Sequence, residues 1–375
     1  MDFSLTEEQQ LIKESVDKFI DKDYAFEVRN KLLETEHRFS REFWQQYAEL
    51  GWLGIAFPES YGGFGGSAIE TMLICEAFGS AMVLEPYLTT VVMGGNAILL
   101  GGSEAQKQNY LPQLIAGELT LALAYVEQDS GYNLANVSCT AEGSGELYIL
   151  SGEKIVVLNA PSAGQLIVSA RTSGAQCDEA GISLFLVDSS AQGLEKTEYL
   201  TMDGGRGANI KFNKVTATLL GVKDQGYAVL EHVIDIATAA LCAQALGAMK
   251  RAFEQTREYL NAREQFGVPI GSFQVLQHRL VDMFMGVELS RSMVYKVNIE
   301  VMSDDRQTRR EAVSSAKSYI GQQARNLGQD AIQMHGGIGT TEELDIGHLF
   351  RYLTLFCLTF GSTDYHLEQF AGLTQ

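Results

Sequence analysis

The chain has 375 residues, 46% of them hydrophobic, with 28 basic and 47 acidic side chains and a net charge of −19. That length is enough for two or three cores, and the acidic balance excludes a surface built for nucleic acid or anionic membrane, though not a local positive pocket for a small anion. Five scattered cysteines with no C-x-x-C pair offer neither a disulfide frame nor a metal site and fit a reducing compartment. With no basic-then-apolar leader and no uninterrupted apolar run of bilayer length, the expectation is a soluble, cytoplasmic protein without a membrane partner.

Thr6 followed three residues on by Gln9 reads as a helix cap, and Leu11, Ile12, Val16, Phe19 and Ile20 recur at helical spacing behind it. Further amphipathic segments fall at 43–50, 69–78, 91–100 and 105–115. The glycine-rich stretch 58–66 has no preceding strand and no following Lys-Ser/Thr, so it reads as a surface turn rather than a phosphate cradle. From about Thr120 the period changes, and short β-type runs at 121–125, 147–150, 154–158, 165–170, 181–187 and 209–212 suggest a small barrel or sandwich, with 176–180 in a hairpin loop. From Gly226 four long helical patterns, 227–261, 273–302, 305–335 and 346–369, suit an antiparallel four-helix bundle whose apolar stripes also serve an oligomer. Met283, Met285 and Met293 in the second of these read as core filling.

Gly267, Pro269 and Gly271 explain a turn between the first two bundle helices, but not why it carries Arg263, Gln265, Phe266 and Gln274. The whole string, Arg-x-x-Phe-Gly-x-Pro-Ile-x-x-Phe-Gln from Arg263, resembles the signature of the acyl-CoA dehydrogenase family. Pro58 with Tyr61-Gly62-Gly63, the segment from Gly102 to Glu118, and Lys211–Val215 with Gly221 resemble other parts of it, and the similarity runs end to end. The fold this implies is α+β and multidomain: an N-terminal helical domain (1–119), a middle β-barrel or sandwich domain (120–224) and a C-terminal four-helix bundle (225–375).

The resemblance implies FAD, lying between the β domain of one subunit and the bundle of its neighbour. Arg263, Glu264, Gln265 and Phe266 match the bundle segment that meets its adenosine and pyrophosphate, and Phe273 and Gln274 match the pair beyond. Gln333, Gly336, Gly337 and Gly339 match Gln-x-x-Gly-Gly-x-Gly, where glycines let backbone N–H groups approach a pyrophosphate. Taken alone these glycines read as a helix C-cap and turn, and His335 as packing or a surface donor. Gly361, Ser362 and Asp364 match a further FAD-touching string. The β-domain half departs from the pattern. Tyr132 replaces a phosphate-binding hydroxyl, while Val156 and Leu158 replace a Trp that covers the flavin ring and a Thr that hydrogen-bonds it.

The implied reaction is α,β-dehydrogenation of an acyl-CoA thioester, in which a carboxylate takes the α-proton. Phe360 occupies the usual position of that carboxylate and Ala237 occupies the alternative one, so no base is assigned. Asp235 matches an acid lining the substrate region, or is a solvated or capping residue; it lies about 200° around the helix from Ala237. The pattern favours a base-less subunit of a heteromeric dehydrogenase, similar to the small subunits of pimeloyl-CoA dehydrogenases, lending contacts to FAD seated on a partner. Two alternatives are an active homomeric enzyme with another base and a structural homologue without flavin. Acyl-CoA as substrate, a homomeric or two-plus-two tetramer, and electron-transferring flavoprotein as acceptor are further implications of the resemblance.

Overall fold

The computed structural model describes residues 5–374, which divide into two compact units. The first comprises residues up to Lys31, then Ala68–Val83 and Thr238 onward. Its helix α1 (Glu7–Asp23) starts with the predicted capping box: Thr6 Oγ1 accepts from the Gln9 amide at 3.2 Å, and Gln9 Oε1 accepts from the Thr6 amide at 3.1 Å. Helix α2 (Phe26–Leu33) was not signalled, because Arg29 is its only buried residue and no apolar stripe marks it. Helix α4 (Ala68–Ser80) meets α7 (Gly226–Ala262) with backbones in contact. A Cβ at Gly79 would lie 1.9 Å from Gln244 O, and one at Gly247 would lie 1.8 Å from Glu76 O, so glycine is obligatory at both.

By length and composition alone α7 could cross a bilayer, but 89% of its most apolar window is buried within the protein. That burial is what a central bundle helix requires. Helices α8 (Gln274–Glu300) and α9 (Arg306–His335) follow as expected, but of the three methionines read as core filling in α8 only Met283 is buried, Met285 being 48% exposed because its face of the helix packs on nothing among the described residues. The fourth predicted helix is instead two, α10 (Asp345–Phe356) and α11 (Thr363–Leu373). The chain breaks because Phe360 and Gly361 take φ of 60° and 128°, outside helical space, and Ser362 then caps α11 by accepting from the Tyr365 amide at 3.1 Å.

The second unit holds Leu32–Ser67 and Leu84–Ala237. Its helical part includes α3 (Arg41–Glu49), a buried π-helix at Tyr87–Gly95 that runs into α5 (Asn96–Gly101), and α6 (Glu104–Ile115). The β part has seven strands: β1 (Leu121–Ala124), β2 (Thr140–Ser144), β3 (Leu147–Leu158), β4 (Gln165–Arg171), β5 (Ile182–Asp188), β6 (Leu194–Leu200) and β7 (Arg206–Leu220). Pairing runs β1-β4-β2-β3-β7-β5, with β6 on β7, and the additional β4–β5 ladder closes the sheet on itself. Tyr148, Leu150, Leu166, Val168, Phe185, Ile210 and Phe212 fill its interior. The two short runs expected at 147–150 and 154–158 are one strand, bent by irregularities after Leu150 and after Lys154.

Candidate functional site

The Arg263 turn projects from the end of α7. The Arg263 amide donates to Tyr259 O and its carbonyl accepts from Ile270 N, both at 2.8 Å. These bonds frame a hairpin of two-residue strands, β8 (Glu264–Gln265) and β9 (Val268–Pro269), tipped by Phe266 and Gly267 at φ of 55° and 80°. Positive φ at both central residues is the twist-matched hairpin turn, and glycine serves the second position without strain. Phe266 is 93% exposed, its ring edge-on to that of Phe273 at 6.1 Å. Arg263, Glu264, Gln265, Phe273 and Gln274 are exposed as well. The Arg263 guanidinium makes no ion pair among the described residues. A fully exposed aromatic beside an uncommitted cation is a surface without an occupant from its own chain.

The second string stands beside the first. His335 ends α9, buried, with Nδ1 donating to Ala331 O at 2.8 Å and its ring stacked on Tyr259 at 4.5 Å. Since the Tyr259 carbonyl holds Arg263, this stack places the Gln333–Gly337 segment next to the hairpin. His335 is therefore packing, not a surface donor. Gly336 is the C-cap of α9, at φ 64°, as the alternative reading had it. Gly337 is different. Its φ is ordinary and a Cβ there would meet nothing within 4 Å, so the chain itself gives no reason for glycine. Glycine there leaves the backbone bare, as close approach of an outside group would need. This face, with Gln333 also exposed, fits the anionic middle of a dinucleotide.

The β domain does not fit the flavin ring. Val156 sits at an irregularity of β3, at φ 51° and 48% exposed, its amide donating to Asn209 Oδ1 at 3.2 Å. A branched aliphatic side chain thus stands where ring stacking would be needed. Leu158 supplies no hydrogen bond. Glu127, five residues before Tyr132, forms a buried network with Lys154 of β3. Its carboxylate receives Lys154 Nζ at 2.7 Å, the amides of Ser138 and Cys139 at 2.7 and 3.1 Å, and the Ser138 hydroxyl. Burial alone would raise the Glu127 carboxyl, but Lys154 and the Ser138 donors outweigh it and hold it below the usual range.

The two base positions are apolar and buried: Phe360 is 9% exposed and Ala237 0%. Asp235 is 1% exposed, which overturns the solvated reading, and Glu231 is 3% exposed, accepting from Tyr227 Oη at 3.3 Å. Around Phe360 the structure adds two residues that sequence reasoning missed. Lys317 Nζ donates to Phe356 O at 2.8 Å and to Gly361 O at 2.9 Å, and lies 4.3 Å over the Phe356 ring. His366 Nε2 donates to Phe360 O at 3.1 Å. Burial lowers the Lys317 ammonium to about 8. Burial, aided by the Lys317 charge, lowers the His366 imidazole to about 3, so that ring is neutral. Ser362 is spent on capping α11, and Asp364 is exposed on its first turn. The missed signal lay in α9: Lys317 falls at helical spacing among Val313, Ile320 and Ala324, on the apolar face.

The chain matches the N-terminal, middle and C-terminal domains of acyl-CoA dehydrogenases over residues 6–118, 122–215 and 224–372. It is 32% identical over 369 residues to a mitochondrial isovaleryl-CoA dehydrogenase of Pongo abelii, covering 96% of this chain and 87% of that one. Among solved structures it superposes on PigA with FAD and proline at a TM-score of 0.91, with 28% identity and all of both chains covered. On the ChsE4–ChsE5 complex from Mycobacterium tuberculosis the TM-score is 0.90, with 27% identity, covering 99% of this chain and 98% of that one. The three domain matches and the end-to-end likeness show that the chain belongs to the acyl-CoA dehydrogenase family, FAD enzymes that act as oxidoreductases on CH–CH bonds.

Proposed function

We propose that this chain is the base-less subunit of a heteromeric acyl-CoA dehydrogenase and lends its bundle face to FAD seated on a partner subunit. The observation that carries the reading is the contrast between its two surfaces. The hairpin and glycine segment stand open with an uncommitted Arg263, whereas residue 360 is a buried phenylalanine that accepts no proton. When bound, FAD takes the hydride removed from the thioester's β-carbon. In this reading Arg263 offsets pyrophosphate charge, Gly336 and Gly337 let the backbone come close to it, and Phe266, Phe273, Gln265, Gln274 and Gln333 border the adenosine side. Glu264, Gly361, Ser362 and Asp364 complete the proposed contacts. The α-proton goes to a carboxylate of the partner. The exposed Val281, Phe284, Met285 and Leu289 of α8, each about half exposed, supply apolar area of the kind that an assembly covers. That a solved relative is a complex of two different chains supports the same picture.

The purified single chain is expected to be colourless and to show no acyl-CoA turnover with an artificial electron acceptor. Co-expression with a homologue bearing Glu at the position of Phe360 is expected to yield a yellow, active complex. Robust turnover by the homogeneous single chain would overturn the proposal. A second reading, homomeric activity with another base, draws on the burial of Glu231 and Asp235 on α7; it requires that single-chain turnover exist and be lost in Asp235→Asn or Glu231→Gln.

A further inference from the structure

Residues 357–362 join α10 to α11 through two left-handed φ values, and a turn of that kind persists only when its surroundings over-determine it. Two carbonyls of this segment, and the last carbonyl of α10 before it, are held by buried side chains. Lys317 takes those of Phe356 and Gly361, and His366 takes that of Phe360. Both donors are buried, Lys317 at 0% and His366 at 4% exposure. Lys317 makes no ion pair among the described residues, so its charge is balanced by two carbonyl dipoles and the Phe356 ring alone. A buried ammonium is costly, and a merely structural contact would be served by a neutral donor. Gly361 is fixed by the same arrangement, since a Cβ there would lie 2.4 Å from His366 Nε2.

We infer that Lys317 and His366 are positioning residues, a clamp that sets the backbone of residue 360 and keeps this subunit's base socket formed although its occupant is phenylalanine. The significance of position 360 rests on the function proposed above, but the clamp itself does not. The charged and titratable groups facing Lys317 are His366 on α11, Cys357 after α10, Cys242 on α7, and, farther along α9, Arg310 and Arg325, which act on His366 and Cys357. None is a carboxylate. Deprotonating Lys317 therefore relieves an uncompensated buried charge, with no counter-ion left behind, while the neutral amine still donates to the same carbonyls.

Amide hydrogen exchange of the full-length chain, without partner or flavin, tests the clamp independently of the proposed function. After correction for intrinsic rates, peptides covering 357–366 are expected to gain about tenfold protection between about pH 7 and pH 9, because burial lowers Lys317 to about 8 in the closed state while local opening returns it to its ordinary range, so loss of the proton favours the closed form. In Lys317→Arg, which keeps its charge at that pH, the step should vanish while protection at pH 7 stays within about threefold of wild type. In Lys317→Met the same peptides should be unprotected at every pH, with those covering 263–274 unchanged. Should Lys317→Met fail to fold, the Arg variant still decides. A step that persists in Lys317→Arg, or protection in wild type that is flat or falling across pH 7–9.5, overturns the inference.

Discussion

Three of the eight non-glycine residues with left-handed φ among the described residues, Val156, Phe266 and Phe360, lie in or beside strings that resemble the family's cofactor segments. Left-handed backbone costs of order 1–3 kcal/mol for such residues and is retained where geometry serves a site. Val156 is the sharpest case, because a β-branched side chain fits that region worst. Here Ile155 and Val156 oppose the single residue Asn209, since Lys154 pairs with Ile210 and Val157 with Ala208. This is a bulge of the kind that usually takes glycine and re-aims a side chain. The bulge is formed, but the side chain it presents has no ring to stack. Val156→Gly is expected to raise stability by about 1 kcal/mol, relief of strain exceeding the extra chain entropy. The check is a higher urea midpoint at unchanged slope; a lowered midpoint would show that the half-covered isopropyl group contributes more than the strain costs.

At the scale of elements, the Glu127–Lys154 pair anchors the 126–139 segment to the long strand β3. The pair is nearly dry, with Lys154 also donating to Ser169 Oγ at 3.1 Å, so its Coulomb attraction and its desolvation largely offset one another. Removing one partner does not offset. Lys154→Met is expected to cost about 3–5 kcal/mol by stranding a buried carboxylate, and the double variant with Glu127→Gln to recover part of that loss. Equal losses in the single and double variants would show that packing, not charge, is what Lys154 supplies. Such pairs explain where sequence reading stopped. The helices with a clear apolar stripe and the strands with buried alternation were legible in the sequence. Strand β6 was not, because Glu195, Lys196 and Glu198 give an edge strand no apolar period, and β2 buries only Ala141. The break between α10 and α11 hid inside a helical pattern because one glycine in a helix is ordinary. Local strings made the Arg263 hairpin legible. Lys317 and His366 were not, since their partners are backbone carbonyls, which leave no trace in residue identity.

For the whole molecule, a net charge of −19 sets the terms on which a polyanionic cofactor is met. Long-range potential repels it, so any attraction must come from a few nearby donors, and screening by salt lessens the repulsion more than it weakens a close contact. On the hairpin face Arg263 is an exposed cation, and among the described residues no carboxylate pairs with it. Within the proposed complex, Arg263→Ala is therefore expected to weaken FAD retention by about 10- to 100-fold, the range for losing a charge-assisted hydrogen bond. Arg263→Lys should restore only part of it, a point charge replacing a planar fork. The measurement is flavin per complex after gel filtration at rising ionic strength, with subunit stoichiometry followed in parallel. Loss of flavin from an intact complex assigns Arg263 to the cofactor. Loss of the complex itself assigns the hairpin to subunit contact, and flavin content equal to wild type at every salt concentration would remove Arg263 from both roles.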